Sequence, residues 1–259
     1  MIYNEDCKIT MARMEPKSVD VILTSPFYNT NKKAGSKSTL ENTTTKNGDY
    51  PWTRYDCHID NMTNEEYDDY TVDLFLLFDK ILKPNGVILY NMSYGNNNTD
   101  GMISAVNSVL SKTPFALADI IVWKKKNALP NNCSPNRLTR IVEFIYVFCR
   151  ATESGTFYAN KKIISTRTNG QKMYENIFNF VEAANNDGSC SLNKATYSSE
   201  LCKKLLNIYC PQNGLVYDPF MGTGTTAVAC EEMGLSWCGS EISTKQVEYA
   251  NNRINEKKG

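Results

Sequence analysis

The sequence has little of what most enzymes use for proton transfer near neutral pH. Its 259 residues include one histidine, His58, so Ser-His-Asp and Cys-His catalysis and imidazole-built metal sites lack their central group. His58 stands among Arg54, Asp56, Asp60 and Asn61 and reads as an exposed loop residue. Nine cysteines are present without a single Cys-x-x-Cys pair, which removes the usual zinc spacings and leaves reduced, structural thiols. No apolar run reaches the roughly 18 residues of a membrane span. Residues 1–6 carry neither the basic start nor the apolar stretch of a leader peptide, so an intracellular protein is expected. An excess of one charge is missing too: 28 Lys and Arg balance 28 Asp and Glu. No global field then draws the chain to nucleic acid, and any such contact must come from local clusters.

What is present points to one α/β domain over residues 1–259. With 41% apolar residues the chain can bury a sizeable core. Short β-branched runs alternate with helical patterns, as βαβ units and a mostly parallel sheet require. Strands are expected at residues 19–24, 86–91, 119–123, 141–149, 215–217 and 236–239. Helices are expected at 65–82, 101–111, 198–209, 225–233 and 244–256, the first stopped by Lys83-Pro84-Asn85-Gly86. Residues 29–64 and 151–193 break this rhythm. Loops of that length are usually functional, so both are candidate substrate-contacting insertions.

Two segments could carry chemistry. Val216 to Thr226 runs from a strand through Gly222 and Gly224 into a helix, where unpaired N–H groups and side-chain-free backbone can approach a ligand. No lysine follows, which excludes a P-loop. Some twenty residues on, Glu241 ends a second strand, either as a helix-capping or surface residue or as a partner for ribose hydroxyls. At the other end of the chain, Thr24-Ser25-Pro26-Phe27-Tyr28 follows a buried strand, at the edge where open α/β sheets hold their ligands. An ordinary strand-to-loop turn would use the same residue types. Chemistry gives the segment a second meaning. An exocyclic amino group is a poor nucleophile until its N–H bonds are held by acceptors, and Ser25 Oγ and the Pro26 carbonyl are candidates. A base must also leave its duplex and stack on a ring, for which Tyr28 or Phe27 is available. Lys124-Lys125-Lys126, Arg137 with Arg140, Lys32-Lys33 and Lys161-Lys162 are the local basic clusters, each either a solvated face or a phosphate contact.

Taken in order, these segments resemble the DNA amino-methyltransferases in which the catalytic motif precedes the cofactor motif. Ser25-Pro26-Phe27-Tyr28 is similar to that family's Asp/Asn/Ser-Pro-Pro-Tyr/Phe tetrapeptide, with Phe27 in place of the second proline. Asp218 to Thr226 resembles the cofactor motif, Glu241 the acid on the cofactor ribose, and Asn4-Glu5-Asp6-Cys7 the strand end that meets the adenine. Asn193 to Leu201 is similar to the segment that closes over the methionine moiety, although Asn193-Lys194 stands where relatives often have His-Pro. Trp123 to Lys126, Arg137 to Arg140 and Glu143-Phe144-Ile145 match the family's paired strands.

The resemblance implies a Rossmann-like S-adenosylmethionine-dependent methyltransferase fold with a mostly parallel sheet and permuted motif order. It implies Ser25, Pro26, Phe27 and Tyr28 as catalytic residues. Cofactor contacts would fall to Asp6, Thr24, Lys194, Thr196, Ser198, Asp218, Pro219, Phe220, Gly222, Gly224, Thr225, Thr226 and Glu241. DNA contacts would fall to Lys124, Lys125, Arg137 and Arg140. Double-stranded DNA is the implied substrate, in the setting of restriction and modification, with a homodimer as one arrangement and no metal. The serine at the head of the motif favours N4 of cytosine, with N6 of adenine as the alternative. A catalytically lapsed paralogue and methylation of RNA or of a protein amide remain open at this point.

Overall fold

The computed structural model describes residues 1–29, 62–94, 98–128, 135–185, 187–188, 190–193 and 196–258. His58, Lys32, Lys33, Lys194 and nearly all of the first expected insertion lie outside them.

The chain opens with a short strand β1 (Ile2–Tyr3) and a helix α1 (Cys7–Arg13) that the sequence reading did not anticipate. Asp6 caps α1, accepting from the Lys8 amide at 2.7 Å. Strand β2 (Val19–Thr24) follows at its expected limits. Helix α2 (Asn64–Ile81) begins in a capping box, in which Thr63 accepts from the Glu66 amide while the Glu66 carboxylate accepts from the Thr63 amide. Its buried side chains Tyr67, Thr71, Leu74, Phe75, Phe78 and Ile81 recur at helical spacing. Strand β3 (Leu82–Met92) starts earlier than expected because Lys83 to Gly86 forms a bulge beside β2, with Asn85 at φ 61°, instead of a clean break.

Beyond it come α3 (Gly101–Lys112), β4 (Phe115–Lys125) and β5 (Val142–Arg150). The second expected insertion holds a 3₁₀ turn at Ala151–Glu153, a hairpin of β6 (Ile163–Thr166) with β7 (Lys172–Tyr174), and β8 (Phe180–Ala183). β8 pairs parallel with β4, so part of this segment extends the main sheet. The chain ends with α4 (Ser199–Tyr209), β9 (Leu215–Asp218), α5 (Thr225–Met233), β10 (Ser236–Ser240) and α6 (Thr244–Lys258).

Eight strands form one sheet in the order β1-β10-β9-β2-β3-β5-β4-β8, and β6 and β7 stand apart as an antiparallel pair. Among the described residues of the eight-stranded sheet, only β5 runs against its neighbours. Side chains alternate across the sheet. Ile22, Ile88, Tyr90 and Phe148 face a core with α2 and α3, while Val21, Leu23, Val87, Leu89 and Val147 face α4 and α5. The strand order carries the function: β9 lies directly beside β2, so the loops after these two strands, distant in sequence, emerge side by side at the carboxyl edge.

Arg150, at the end of the reversed strand β5 and so at the opposite edge of the sheet, ties the sheet to α2. Its guanidinium donates to Asp79 Oδ1 at 2.5 Å and to the carbonyls of Asp79, Leu82 and Lys83 at 2.8, 2.8 and 3.0 Å, satisfying the C-terminal end of α2. Arg150→Met should cost about 2–3 kcal/mol, since hydrogen bonds from a charged donor are lost and carbonyls are left buried. The exposed Lys112–Asp69 pair supplies the control, because Lys112→Met should shift stability by about 0.5 kcal/mol or less. Urea midpoints of the two variants check both values.

Candidate active site

At the end of β2, Thr24 is fully buried and its hydroxyl donates to Asp218 Oδ1 at 2.7 Å, across 194 residues of chain. Asp218 accepts in addition from the Phe220 amide at 3.0 Å, from Thr226 Oγ1 at 2.5 Å and from Tyr197 Oη at 3.1 Å. Burial raises its carboxyl pKa, against the lowering pull of these donors. The same burial, with the Asp218 charge alongside, holds Tyr197 well above the usual phenol range. Asp218 therefore acts as the knot between the two loops, and both of its oxygens are occupied by protein donors.

Past this knot the loop after β2 divides its side chains. Phe27 turns inward and is 6% exposed. Its ring meets Tyr67 at 5.4 Å, Tyr70 at 5.4 Å and Phe220 at 6.2 Å, and its carbonyl accepts from Tyr67 Oη at 2.6 Å. Phe27 is thus a wall of the neighbouring pocket and not a platform for a base. Ser25 lines the same pocket, and its hydroxyl stands 2.9 Å from that of Tyr28, which does not line it. Asn91, at the end of β3, donates to Tyr28 Oη at 2.6 Å and to Glu143 Oε2 at 3.0 Å, with Ser25 Oγ at 3.2 Å. Tyr28 Oη donates to the same Glu143 oxygen at 3.1 Å, and Lys125 Nζ holds the other one at 2.6 Å. Asn29 closes the loop in a left-handed turn, φ 49°, its amide donating to the Met62 carbonyl at 2.9 Å.

A pocket of about 300 Å³ opens between the two loops. Phe27, Tyr70 and Phe220 form an apolar wall, with Asp6 and Glu241 at its polar margins. Gly222, at φ 52°, brings its amide to Glu241 Oε2 at 2.8 Å, while Glu241 Oε1 accepts from the Ser243 amide at 2.8 Å. Gly224 is at φ 81°, and a Cβ there would stand 2.9 Å from that of Ala250, so only glycine lets α5 start against α6. The hydroxyls of Thr196 and Thr223 line the pocket, buried and without a hydrogen-bond partner. Orphaned hydroxyls beside a carboxylate and a flat aromatic wall fit a ligand that combines a purine, ribose hydroxyls and amino-acid charges, as S-adenosylmethionine does.

The expected cofactor residues separate into two sets. Asp6, Thr196, Pro219, Phe220, Gly222, Thr225 and Glu241 line the pocket. Thr24, Ser198, Asp218, Gly224 and Thr226 stand behind its wall: Ser198 caps α4, Gly224 caps α5, and the rest form the Asp218 knot. Among the expected DNA contacts, Lys124 pairs with Glu182 and Lys125 with Glu143. Arg137 and Arg140 line a second, shallow cleft with Tyr94, whose ring lies 4.9 Å from the Arg140 guanidinium. Tyr70 and Gln246 line the pocket and Asn91 joins the Ser25–Tyr28 set without having stood out in the sequence, and Glu143 had no assigned role. The signal available for Asn91 was an amide at the carboxyl end of an otherwise apolar strand. Among the described residues no group of three or more His, Cys, Asp and Glu could hold a metal, and no helix is long and apolar enough to cross a membrane.

Comparison with known proteins agrees with this geometry. A family model described as DNA methylase, of the N6/N4 type, matches residues 19–252. The type II methyltransferase M2.LlaDCHI of Lactococcus lactis subsp. cremoris is 22% identical over 257 residues, 99% of this chain and 89% of that protein. M2.DpnII of Streptococcus pneumoniae is 23% identical over 259 residues, 98% of this chain and 88% of that one. Among solved structures, the cytosine-N4-specific PvuII DNA methyltransferase superposes with a TM-score of 0.70 at 16% identity, covering 99% of this chain and 90% of that one. The M1.HpyAVI complex with S-adenosylmethionine gives 0.60 at 18%, covering 98% of each. These structures share the α/β fold and its mostly parallel sheet.

Asp218→Ala would strand the donors of Thr24, Tyr197, Thr226 and Phe220 in the core, and the fold should lose about 3 kcal/mol or more. Because the pocket wall rests on this knot, affinity for S-adenosylmethionine should fall with stability. Glu241→Ala, at the pocket margin, should weaken the cofactor with a smaller loss of stability. Urea unfolding and calorimetric titration of both variants distinguish the two roles.

Proposed function

Since the chain belongs to the N6/N4 family of DNA methylases, using S-adenosylmethionine as methyl donor, we propose that it methylates N4 of cytosine in double-stranded DNA, with Ser25, Pro26 and Tyr28 at the target base. The observation that carries this reading is the position of Ser25, which lines the pocket beside Phe27 and whose hydroxyl is hydrogen-bonded to Tyr28, a ring outside the pocket wall. Ser25 at the head of the motif supports cytosine over adenine. The intact hydrogen-bonded set around Ser25 and Tyr28 argues against a lapsed paralogue.

When bound, S-adenosylmethionine supplies an electrophilic methyl carbon. The chain's residues do the rest. Phe27, Tyr70 and Phe220 offer the apolar wall, the Thr196 and Thr223 hydroxyls and Glu241 offer polar partners, and Asp6 stands at the margin proposed for the adenine. Ser25 Oγ and the Pro26 carbonyl accept from the target amine, which localises its lone pair toward the incoming carbon. Tyr28, held through its hydroxyl, presents the one ring of the loop not committed to the pocket wall, and so stacks the flipped base. Arg137 and Arg140, beside the Tyr94 cleft, are proposed phosphate contacts. Lys124 and Lys125 would contribute there only by exchanging their carboxylate partners. A homodimer is the proposed assembly, read by sedimentation of the purified protein.

Incubation with labelled S-adenosylmethionine and unmethylated duplex DNA, followed by digestion and mass spectrometry of the nucleosides, should yield N4-methylcytosine. N6-methyladenine instead would transfer the reading to adenine, and label in neither base would overturn it. Ser25→Ala should reduce transfer by about 10²-fold, as loss of one preorganised hydrogen-bonding group at a reacting centre does, with cofactor affinity changed less than about twofold. A parallel loss of cofactor affinity would remove Ser25 from the base side of the site.

A further inference from the structure

We propose that Glu143 is the terminal acceptor of a proton relay, Ser25 to Tyr28 to Glu143, that takes the proton the target amino group gives up on methylation. The inference rests on the amino-methyl transfer argued above and extends it to a strand that contributes nothing to the cofactor pocket.

Proton bookkeeping within the hydrogen-bonded set fixes its direction. A carboxylate has no proton to give, so Glu143 Oε2 is acceptor only. Tyr28 has one phenolic proton, and the neighbours that could take it include Glu143 Oε2 at 3.1 Å and Ser25 Oγ at 2.9 Å. The charged oxygen is the stronger acceptor, so the proton points to Glu143. Tyr28 Oη then faces Ser25 as an acceptor, and the Ser25 proton points to Tyr28. Asn91 reinforces this order. Its amide has two hydrogens, and the nearer two of its three neighbours are Tyr28 Oη at 2.6 Å and Glu143 Oε2 at 3.0 Å. Ser25 Oγ, at 3.2 Å, is the longest of the three and the one left without a hydrogen. Ser25 therefore keeps its lone pairs for the target amine, and the arrangement that makes it an acceptor is set two groups away by the carboxylate.

The same chain conducts in the forward sense. The target nitrogen forms its bond to the methyl carbon as the carbon–sulfur bond breaks and leaves its electron pair on sulfur. One N–H proton passes to Ser25 Oγ, the Ser25 proton to Tyr28 Oη, and the Tyr28 proton to Glu143 Oε2. The sulfonium charge and the carboxylate charge vanish together, and the methylated base leaves neutral. Lys125, 2.6 Å from Glu143 Oε1, fixes the acceptor in place. Both groups of this pair are largely shielded, the Glu143 side chain being 13% exposed. Glu143 touches neither base nor cofactor and is a positioning and relay residue.

The test measures single-turnover methyl transfer to a short unmethylated duplex, together with cofactor affinity by calorimetry and the thermal midpoint of each variant. Glu143→Gln keeps the shape and removes the acceptor. It should slow transfer by about 10²-fold, the scale of a general-base contribution, with KM for cofactor and duplex and the thermal midpoint nearly unchanged. Tyr28→Phe breaks the same relay in the middle, so the double variant should be no slower than the slower single one. Glu143→Ala should recover at least tenfold in added formate, a carboxylate small enough for the vacated space. A Glu143→Gln protein within threefold of wild type, losses that multiply in the double variant, a melted or cofactor-deficient Glu143→Gln protein, or no recovery in formate would each overturn the relay. Wild-type protein that methylates neither cytosine nor adenine would instead overturn the underlying reading, and the relay with it.

Discussion

The parallel pairing of β2 with β9 is the constraint on which the site depends. Val21 and Ile22 stand in register with Val216 and Tyr217, so the residues just beyond, Thr24 and Asp218, must meet. They meet fully buried, and a carboxylate in that position is tolerable because four protein donors surround it. The consequence reaches both loops. Ser25 leaves β2 at a fixed angle because Thr24 is held, and the glycine turn leaves β9 at a fixed angle because the Phe220 amide and Thr226 are held. The pocket between them is the space that this double anchoring leaves open.

Phe27 shows how a departure from a family pattern is absorbed. A second proline would have stiffened the loop through φ alone. Here the stiffness comes from packing and one hydrogen bond: the ring sits among Tyr67, Tyr70 and Phe220, and the carbonyl accepts from Tyr67. Three of these rings come from α2 and from the catalytic loop, the fourth from the cofactor loop. Helix α2, which contributes no group to the chemistry, thereby becomes the support that fixes the loop from below.

Most of the fold was legible in the sequence because it is built from patterns that survive without long-range information. Val19–Thr24 is a β-branched, mostly apolar run interrupted by Asp20 and buried on both faces, and Thr225–Met233 follows a glycine turn; both appear at their expected limits. The elements that escaped are short or locally irregular. β1 spans two residues, α1 seven, and β8 is a four-residue alternation whose partner β4 lies more than fifty residues earlier. In the candidate site, Gly222, Gly224 and Glu241 stood out by local spacing, and Phe220 by the family resemblance, and all but Gly224 line the pocket. Which side of the loop after β2 each ring takes was not legible, since Phe27 and Tyr28 are chemically alike until Tyr67 and Glu143 claim one atom each. Thr24, Ser198 and Thr226, which the family resemblance implied as cofactor contacts, are buried behind the pocket wall, and burial of this kind is not written in local sequence.

The reversed strand explains how a chain with one histidine can manage a proton at its active site. In an all-parallel sheet every strand reaches the carboxyl edge with its last residues. β5 reaches it with its first, and its register with β3, Asn91 opposite Ile145, puts Glu143 two residues further along the same face. Trp123 of β4 stands opposite Glu143, so Lys125 falls two residues beyond it on that face as well. The amide, carboxylate and ammonium groups are therefore gathered by strand parity, with no loop needed to carry them. A hydroxyl, a phenol and a carboxylate in sequence can do over three atoms what an imidazole does over one ring, provided the carboxylate is rigid. Rigid is what a strand between two others supplies.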